Sequence, residues 1–143
     1  MTPGLTIGAT ASHAMTVRES HLVPALFPES RPFADMPPVF ATAQMVALVE
    51  WACVEQMRPF YEKGEQSVGV HVDVDHRAPT LPGQTVTVES KVEDIDGRFI
   101  WFRVSARDGA NEICRGRHRR ALIRRAEFDA RLARQGASLG LED

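Results

Sequence analysis

ATAQMVALVEWACVEQMR, residues 41–58, is rich in helix formers, begins just after the proline pair Pro37-Pro38 with Thr42 available as a cap, and stops before Pro59. It predicts one long helix. From Met45 to Val54 every residue except Glu50 is apolar, the pattern of a helix buried on most sides rather than laid on a surface. Something in the chain has to wrap it.

The wrapping material lies downstream. Val68, Val70, Val72 and Val74 alternate with Gly69, His71, Asp73 and Asp75, the period-2 signature of a half-buried strand whose valine face turns toward the helix. Pro82-Gly83 marks a turn, Val86, Val88 and Val92 alternate with polar residues as far as Asp96-Gly97, and that hairpin signal leads into a strand over 98–106. A turn at Asp108-Gly109 precedes a strand over 113–124 and a short helical stretch over 126–134. Upstream, SHAMTVRE (12–19) reads as a first strand. One buried helix between a first strand and four more joined by tight turns predicts an α+β fold, an antiparallel sheet wrapped around the helix. The open edges and faces of so small a sheet predict a homodimer.

Between the first strand and the helix lie Pro24, Pro28, Pro32, Pro37 and Pro38, which keep the segment irregular. It also carries Leu26, Phe27, Phe33 and Met36, and a loop this apolar folds down over something, as a lid does over a pocket.

At 143 residues and 43% hydrophobic, the chain reads as one domain over 1–143, loosely ordered at 1–11 and 135–143. No basic segment leads into an apolar one at the N-terminus, and the longest apolar run is far below the ~20 residues of a membrane span, so a cytoplasmic protein with no membrane partner is expected. Cys53 and Cys114 form neither a metal knuckle nor a disulfide framework. The net charge of -2 excludes a globally basic nucleic-acid binder but hides a split. Residues 98–134 hold 11 basic and four acidic residues, whereas 1–97 hold 6 basic and 13 acidic. Arg115, Arg117 and Arg119 share one strand face and His118 and Arg120 the other, so a guanidinium row faces either solvent or a polyanion. No aromatic residue interleaves with them within 113–125, and no nucleic-acid partner is expected.

Glu50 is the sharpest chemical signal, because an ionised carboxylate in an apolar helix is costly unless it is paired, hydrogen-bonded or protonated. A catalytic carboxylate and a structural ion pair both answer that description. His76 ends the valine strand on the face turned to the helix, where it could approach Glu50. Thr42 is a cap or a site residue. In a regular helix it would lie about 12 Å from Glu50 along the axis, so either Thr42 sits in a loop that folds back or the site is completed across a dimer interface. Gly69 lets either a ligand or a packing neighbour approach the strand backbone closely. The run His71, Asp73, Asp75 and His76 invites a metal reading, the first three sharing a face, but no second cluster completes a ligand set and no metal is expected. Nucleophile-elbow, phosphate-loop and dinucleotide fingerprints are absent.

FPES (27–30), VFAT (39–42), MVALVEWACV (45–54), Gly69, His76, PGQTVTV (82–88), RVSARDG (103–109) and the Arg119-Arg120 strand together resemble the hotdog-fold acyl-CoA thioesterases, and within them the fluoroacetyl-CoA thioesterase type. The resemblance implies a hotdog fold, a dimer with active sites at its interface, and hydrolysis of coenzyme A thioesters. It implies that Thr42, Glu50 and His76 are catalytic, that Gly69 lies against the thioester carbonyl, and that Arg120 and the lid residues Phe33 and Met36 surround the substrate. Coenzyme A then enters as part of the substrate, and no cofactor is needed. The fluoroacetyl-specific type is similar in carrying Phe where this chain has Met36, and a flexible thioether makes a less rigid gate, so a broader short-chain or substituted acyl-CoA is the expectation. Two other readings stand beside it. A non-catalytic acyl-CoA or acyl-carrier binding module would use the same groove, and an acyl-CoA hydratase would need an Asp and a His several residues apart where Asp75 and His76 are adjacent.

Overall fold

The computed structural model describes residues 1–141. The chain runs through β1 (Thr10–Thr16), two single-turn helices α1 (Val23–Leu26) and α2 (Arg31–Ala34), the long α3 (Thr42–Met57), β2 (Glu65–His76), β3 (Thr85–Asp96), β4 (Phe99–Arg107), β5 (Glu112–Arg124) and α4 (Arg125–Ser138). The five strands form one antiparallel sheet in the order β1-β3-β4-β5-β2. Sheet and helix make the α+β hotdog arrangement, α3 lying in the concave side.

Packing follows from spacing. Met45, Leu48, Val49, Ala52, Cys53, Gln56 and Met57 are the buried residues of α3, an unbroken three-four repeat that lays one stripe on the sheet. They meet Val86, Val88 and Val92 of β3 and Ile100, Phe102, Val104 and Ala106 of β4, all buried. A polar pin crosses this core, with the Ser90 hydroxyl donating to Gln56 (2.7 Å) and the Gln56 amide donating to the Ala9 carbonyl (3.0 Å). Pro59 ends the helix by withholding an N–H.

Several expectations are corrected. The helix is not enclosed: Ala43, Ala47 and Trp51 stay exposed along its far face, and apolar residues there hid the stripe from the sequence. The first strand covers 10–16 rather than 12–19. β2 does not pair with β3 across the Pro82-Gly83 turn. Residues 77–84 carry the chain from β2 at one edge to β3 beside β1, and β2 pairs with β5 instead. That crossing is tied down where the buried Thr80 hydroxyl donates to Asp108 (2.9 Å) at the β4–β5 turn.

The valines of β2 do not share one face either. Val68 pairs with Ala121 and Gly69 with Arg120, but His71 pairs with Arg119, so Val70 is an extra residue in a bulge. Past the bulge the register reverses: Gly69, Val72, Val74 and His76 face α3 while Val68 does not. Residues 1–11, expected loose, are anchored by the Met1 ammonium on Glu65 (2.8 Å) and by buried Leu5. The closing helix is 14 residues long and reaches Ser138, into the stretch expected to be loose. The end of that expected tail, residues 142 and 143, lies outside the described residues.

Candidate active site

Helix α3 opens on Ala41, which has no side chain to cap with, and Thr42 is the first helical residue. The expected cap is therefore not one. Its hydroxyl is instead hydrogen-bonded to His76 Nδ1 at 2.8 Å, helix start against strand end. The other ring nitrogen of His76, Nε2, is buried without a hydrogen-bond partner. Burial also lowers the His76 pKa below the usual imidazole value, so the ring is neutral at pH 7 and able to accept a proton.

Glu50 belongs to a second cluster. Its Oε2 lies 3.5 Å from Arg120 Nη1, and its side chain is 44% exposed, so the carboxylate is not sealed in the core as its apolar neighbours implied. Arg120 is itself buried and fixed on three sides. Its Nε donates to the Ser67 hydroxyl (2.8 Å), its Nη2 to the Ser67 carbonyl (2.9 Å), and its Nη1 faces His118 Nε2 at 3.2 Å. His118 Nδ1 donates to the His71 carbonyl (2.8 Å), which leaves the Nε2 lone pair for the arginine. Burial lowers the His118 pKa, in keeping with that neutral ring. Tyr61 adds a 2.6 Å hydrogen bond to the Ser67 hydroxyl. One guanidinium edge is thus held toward Glu50.

Gly69 completes this cluster. A Cβ there would stand 2.7 Å from Glu50 Oε1 and 3.3 Å from His118 Cε1, so only glycine leaves the carboxylate its place. The bulge at Val70 puts this glycine on the helix side. Thr42, His76, Glu50, Gly69 and Arg120 therefore all lie on the inner side of the sheet, but in two groups. Thr42 meets His76, Glu50 meets Gly69 and Arg120, and the helix separates them by about 12 Å. The expected approach of His76 to Glu50 is replaced by its bond to Thr42.

Phe33 and Met36 lie on a flap, residues 23–39, pinched at its base by the Leu22–Phe40 bridge and by the Val23 N–H donating to the Val39 carbonyl (3.0 Å). Phe33 packs edge-on against Phe27 with ring centres 5.1 Å apart, and Met36 is exposed. Ser67, Tyr61 and His118 escaped attention as site residues. His118 is marked by sharing a strand face with Arg120, whereas Ser67 needed the register of β2 against β5. Cys53 lies near this cluster, but it is buried, and burial pushes its thiol up to about 12, which disfavours the thiolate. Among the described residues no group of three His, Cys, Asp or Glu side chains is placed to hold a metal ion. On the outer sheet face, Arg119 lies over Phe99 (4.0 Å) and Arg117 over Trp101 (4.1 Å), so the aromatic partners come from β4. No helix among the described residues is long and apolar enough to cross a membrane.

The family model described as fluoroacetyl-CoA-specific thioesterase matches residues 22–126. The chain belongs to that family. It is a thioester hydrolase of the fluoroacetyl-CoA-specific thioesterase family. Among its relatives is the fluoroacetyl-CoA thioesterase of Streptantibioticus cattleyicolor, 45% identical over 92% of this chain and 95% of that protein. A solved structure of the fluoroacetyl-CoA thioesterase FlK superposes with a TM-score of 0.90 at 44% identity, covering 92% of this chain and 97% of the other. A variant of that thioesterase in complex with fluoroacetate and coenzyme A superposes at 0.84 with 46% identity over 86% and 98%. A Thermus thermophilus thioesterase superfamily member, 27% identical, superposes at 0.87 over 99% and 100%.

Proposed function

We propose that the protein hydrolyses small substituted acyl-CoA thioesters, fluoroacetyl-CoA among them, as a homodimer in which Thr42 and His76 of one chain face Glu50, Gly69 and Arg120 of the other. The observation that carries this reading is the division of the site residues into two clusters that one helix holds apart. Two surfaces support the pairing. β2 is an edge strand with Val70 (46%) and Val72 (42%) exposed, and α3 exposes Trp51 (45%) beside Ala43 and Ala47. Both are apolar surfaces of the kind that a second copy covers.

In such a site Gly69 brings a backbone N–H to the thioester carbonyl, where negative charge develops during attack. Glu50 either attacks the carbonyl carbon or takes a proton from an attacking water, and Arg120, 3.5 Å away, aims the carboxylate. His76, neutral at pH 7, exchanges protons with Thr42, with water and with the departing coenzyme A sulfur. Attack by Glu50 forms a mixed anhydride, attack by Thr42 an ester, and attack by water no covalent intermediate. Mass spectrometry of the enzyme quenched with a slow substrate separates the three. The flap, with Phe33 and Met36, closes the acyl pocket, and the flexible Met36 side chain suits a range of short acyl groups. No resident cofactor takes part, coenzyme A arriving with the substrate. A cytoplasmic location accords with two free, buried cysteines.

The test is complementation. Thr42→Ala and Glu50→Gln homodimers are each expected to be nearly inactive. Unfolding and reassembling an equal mixture should restore about a quarter of wild-type thiol release, because each mixed dimer then keeps one intact site. No recovery in verified mixed dimers overturns the shared site, and a panel of acyl-CoA substrates read by thiol release identifies the acyl group.

A further inference from the structure

One buried titratable ring takes no part in the chemistry proposed above. His118 is 1% exposed on the inner side of β5, and its two ring nitrogens meet partners of opposite kind. Nδ1 lies 2.8 Å from the His71 carbonyl oxygen, which can only accept, and Nε2 lies 3.2 Å from Arg120 Nη1, which can only donate. Only the neutral ring with its hydrogen on Nδ1 satisfies both. Arg120 Nη1 is also the nitrogen that faces Glu50 Oε2, at 3.5 Å. The rest of the guanidinium is tied to Ser67 through Nε (2.8 Å) and Nη2 (2.9 Å), so His118 holds the one corner that reaches the carboxylate. Gly69 fits the same arrangement, because a side chain there would stand between Glu50 Oε1 and His118 Cε1.

We propose that His118 is a positioning residue for Glu50, its neutral ring holding Arg120 Nη1 toward the carboxylate and a proton on Nε2 undoing that hold. The proposal rests on the catalytic reading of Glu50 and deepens it. A proton taken from solvent onto Nε2 replaces the acceptor with a second N–H and sets an imidazolium against the guanidinium. The corner bearing Nη1 then turns away while Nε and Nη2 keep Ser67, and Glu50 loses its guide. Flipping the ring offers no escape, since that gives up the His71 carbonyl. Burial is the largest influence against charge on this ring, joined by Arg120 on β5 and the His71 imidazole on β2, and Glu50 on α3 favours the charge. Cys53, also on α3, stays a neutral thiol, and the ladder neighbour on β4 is the apolar Phe102. The balance lies below the usual imidazole value, so the hold is complete at pH 7 and fails in acid.

The test reads thiol release against pH in the wild type, His118→Gln and His118→Leu, over the range in which circular dichroism shows each fold intact. His76 and His118 must both be neutral in the wild type, so at its acid end kcat should fall about a hundredfold per pH unit. In His118→Gln, whose carbonyl oxygen accepts at every pH, the fall should be only about tenfold. At pH 7 His118→Gln should stay within about threefold of wild-type kcat, and His118→Leu, similar in bulk without an acceptor, should lose about thirtyfold with KM little changed. An acid limb as steep in His118→Gln as in the wild type overturns the proposal, as do equal losses of kcat in the two variants. Should His118→Leu fail to fold, the limb of His118→Gln decides. Imidazole nitrogen NMR answers without turnover: His118 should carry its hydrogen on Nδ1 at pH 7 and titrate at a higher pH in Arg120→Leu. The opposite tautomer, or an unmoved titration, overturns the proposal. Undiminished turnover in Glu50→Gln sinks the catalytic reading of Glu50 instead, and the spectrum then still decides whether His118 holds Arg120.

Discussion

Two glycines of the β2–β5 pair separate function from folding at the scale of one side chain. A Cβ at Gly69 meets Glu50 Oε1 at 2.7 Å, and a carboxylate end can swing away. Gly69→Ala is expected to keep its melting temperature within a few degrees of wild type while kcat falls about a hundredfold, because the displaced carboxylate no longer points along Arg120. A Cβ at Gly116 instead lands on the Asp73 carbonyl oxygen and 2.7 Å from Val74 Cα, backbone that cannot yield. Gly116→Ala should therefore cost about 2–4 kcal/mol of stability in urea titration whatever it does to turnover. Glu50→Gln keeps the shape and loses the charge, so thiol release should fall at least about a hundredfold with the melting curve unmoved. Undiminished turnover would exclude every mechanism that uses this carboxylate. Glu50 was legible in the sequence as a lone charge among apolar residues, but its exposure was not, because the exposed face of α3 is apolar too.

At the scale of elements, β2 and β5 show what a sequence pattern withholds. That Arg115, Arg117 and Arg119 share one face and His118 and Arg120 the other could be read from alternation alone, and β5 keeps it, with the arginine row outward. β2 breaks it at Val70, and no residue type there announces a bulge, since valine is an ordinary strand former. Ser67 was consequently invisible as a partner of Arg120. Ser67→Ala removes the acceptor for Arg120 Nε and the partner of Tyr61 but leaves the Ser67 carbonyl bond. We expect kcat to fall about tenfold with KM little changed, as Arg120 loses one of the bonds that aim it at Glu50. The same element pair makes stability sensitive to acid. Burial holds His76 and His118 below the ordinary imidazole value, so the unfolded chain takes up their protons first as pH falls. The stability they confer is complete above about pH 6.5 and drains away as pH drops through the lower native values. Melting temperature should decline from pH 7 to pH 5, and less steeply in His118→Gln, which lacks one of the two titrating rings.

For the whole molecule, the architecture was readable and the strand order was not. One apolar helix with strand-like alternation on both sides leaves few alternatives to a sheet wrapped around it. The rule that consecutive strands pair misplaced β2, because residues 77–84 form a crossing held by Thr80 and Asp108 rather than a hairpin. Its outcome is a free β2 edge bearing Val70 and Val72. Val72→Asp is expected to turn a dimer into monomers in sedimentation velocity and to abolish thiol release with it, since neither cluster reaches the other within one chain. An active monomer would refute the shared site.

The pinched base of the flap separates selection from chemistry. The chain leaves the sheet-and-helix body at Leu22 and returns at Phe40, two residues bridged to each other, and everything between them is a closed detour. Replacing residues 23–39 with the corresponding stretch of a relative is expected to leave Thr42, Glu50, Gly69, His76 and Arg120 where they are. On the proposed reading of the flap as the cover of the acyl pocket, natural drift and laboratory grafting there change which acid is released and preserve the means of releasing it.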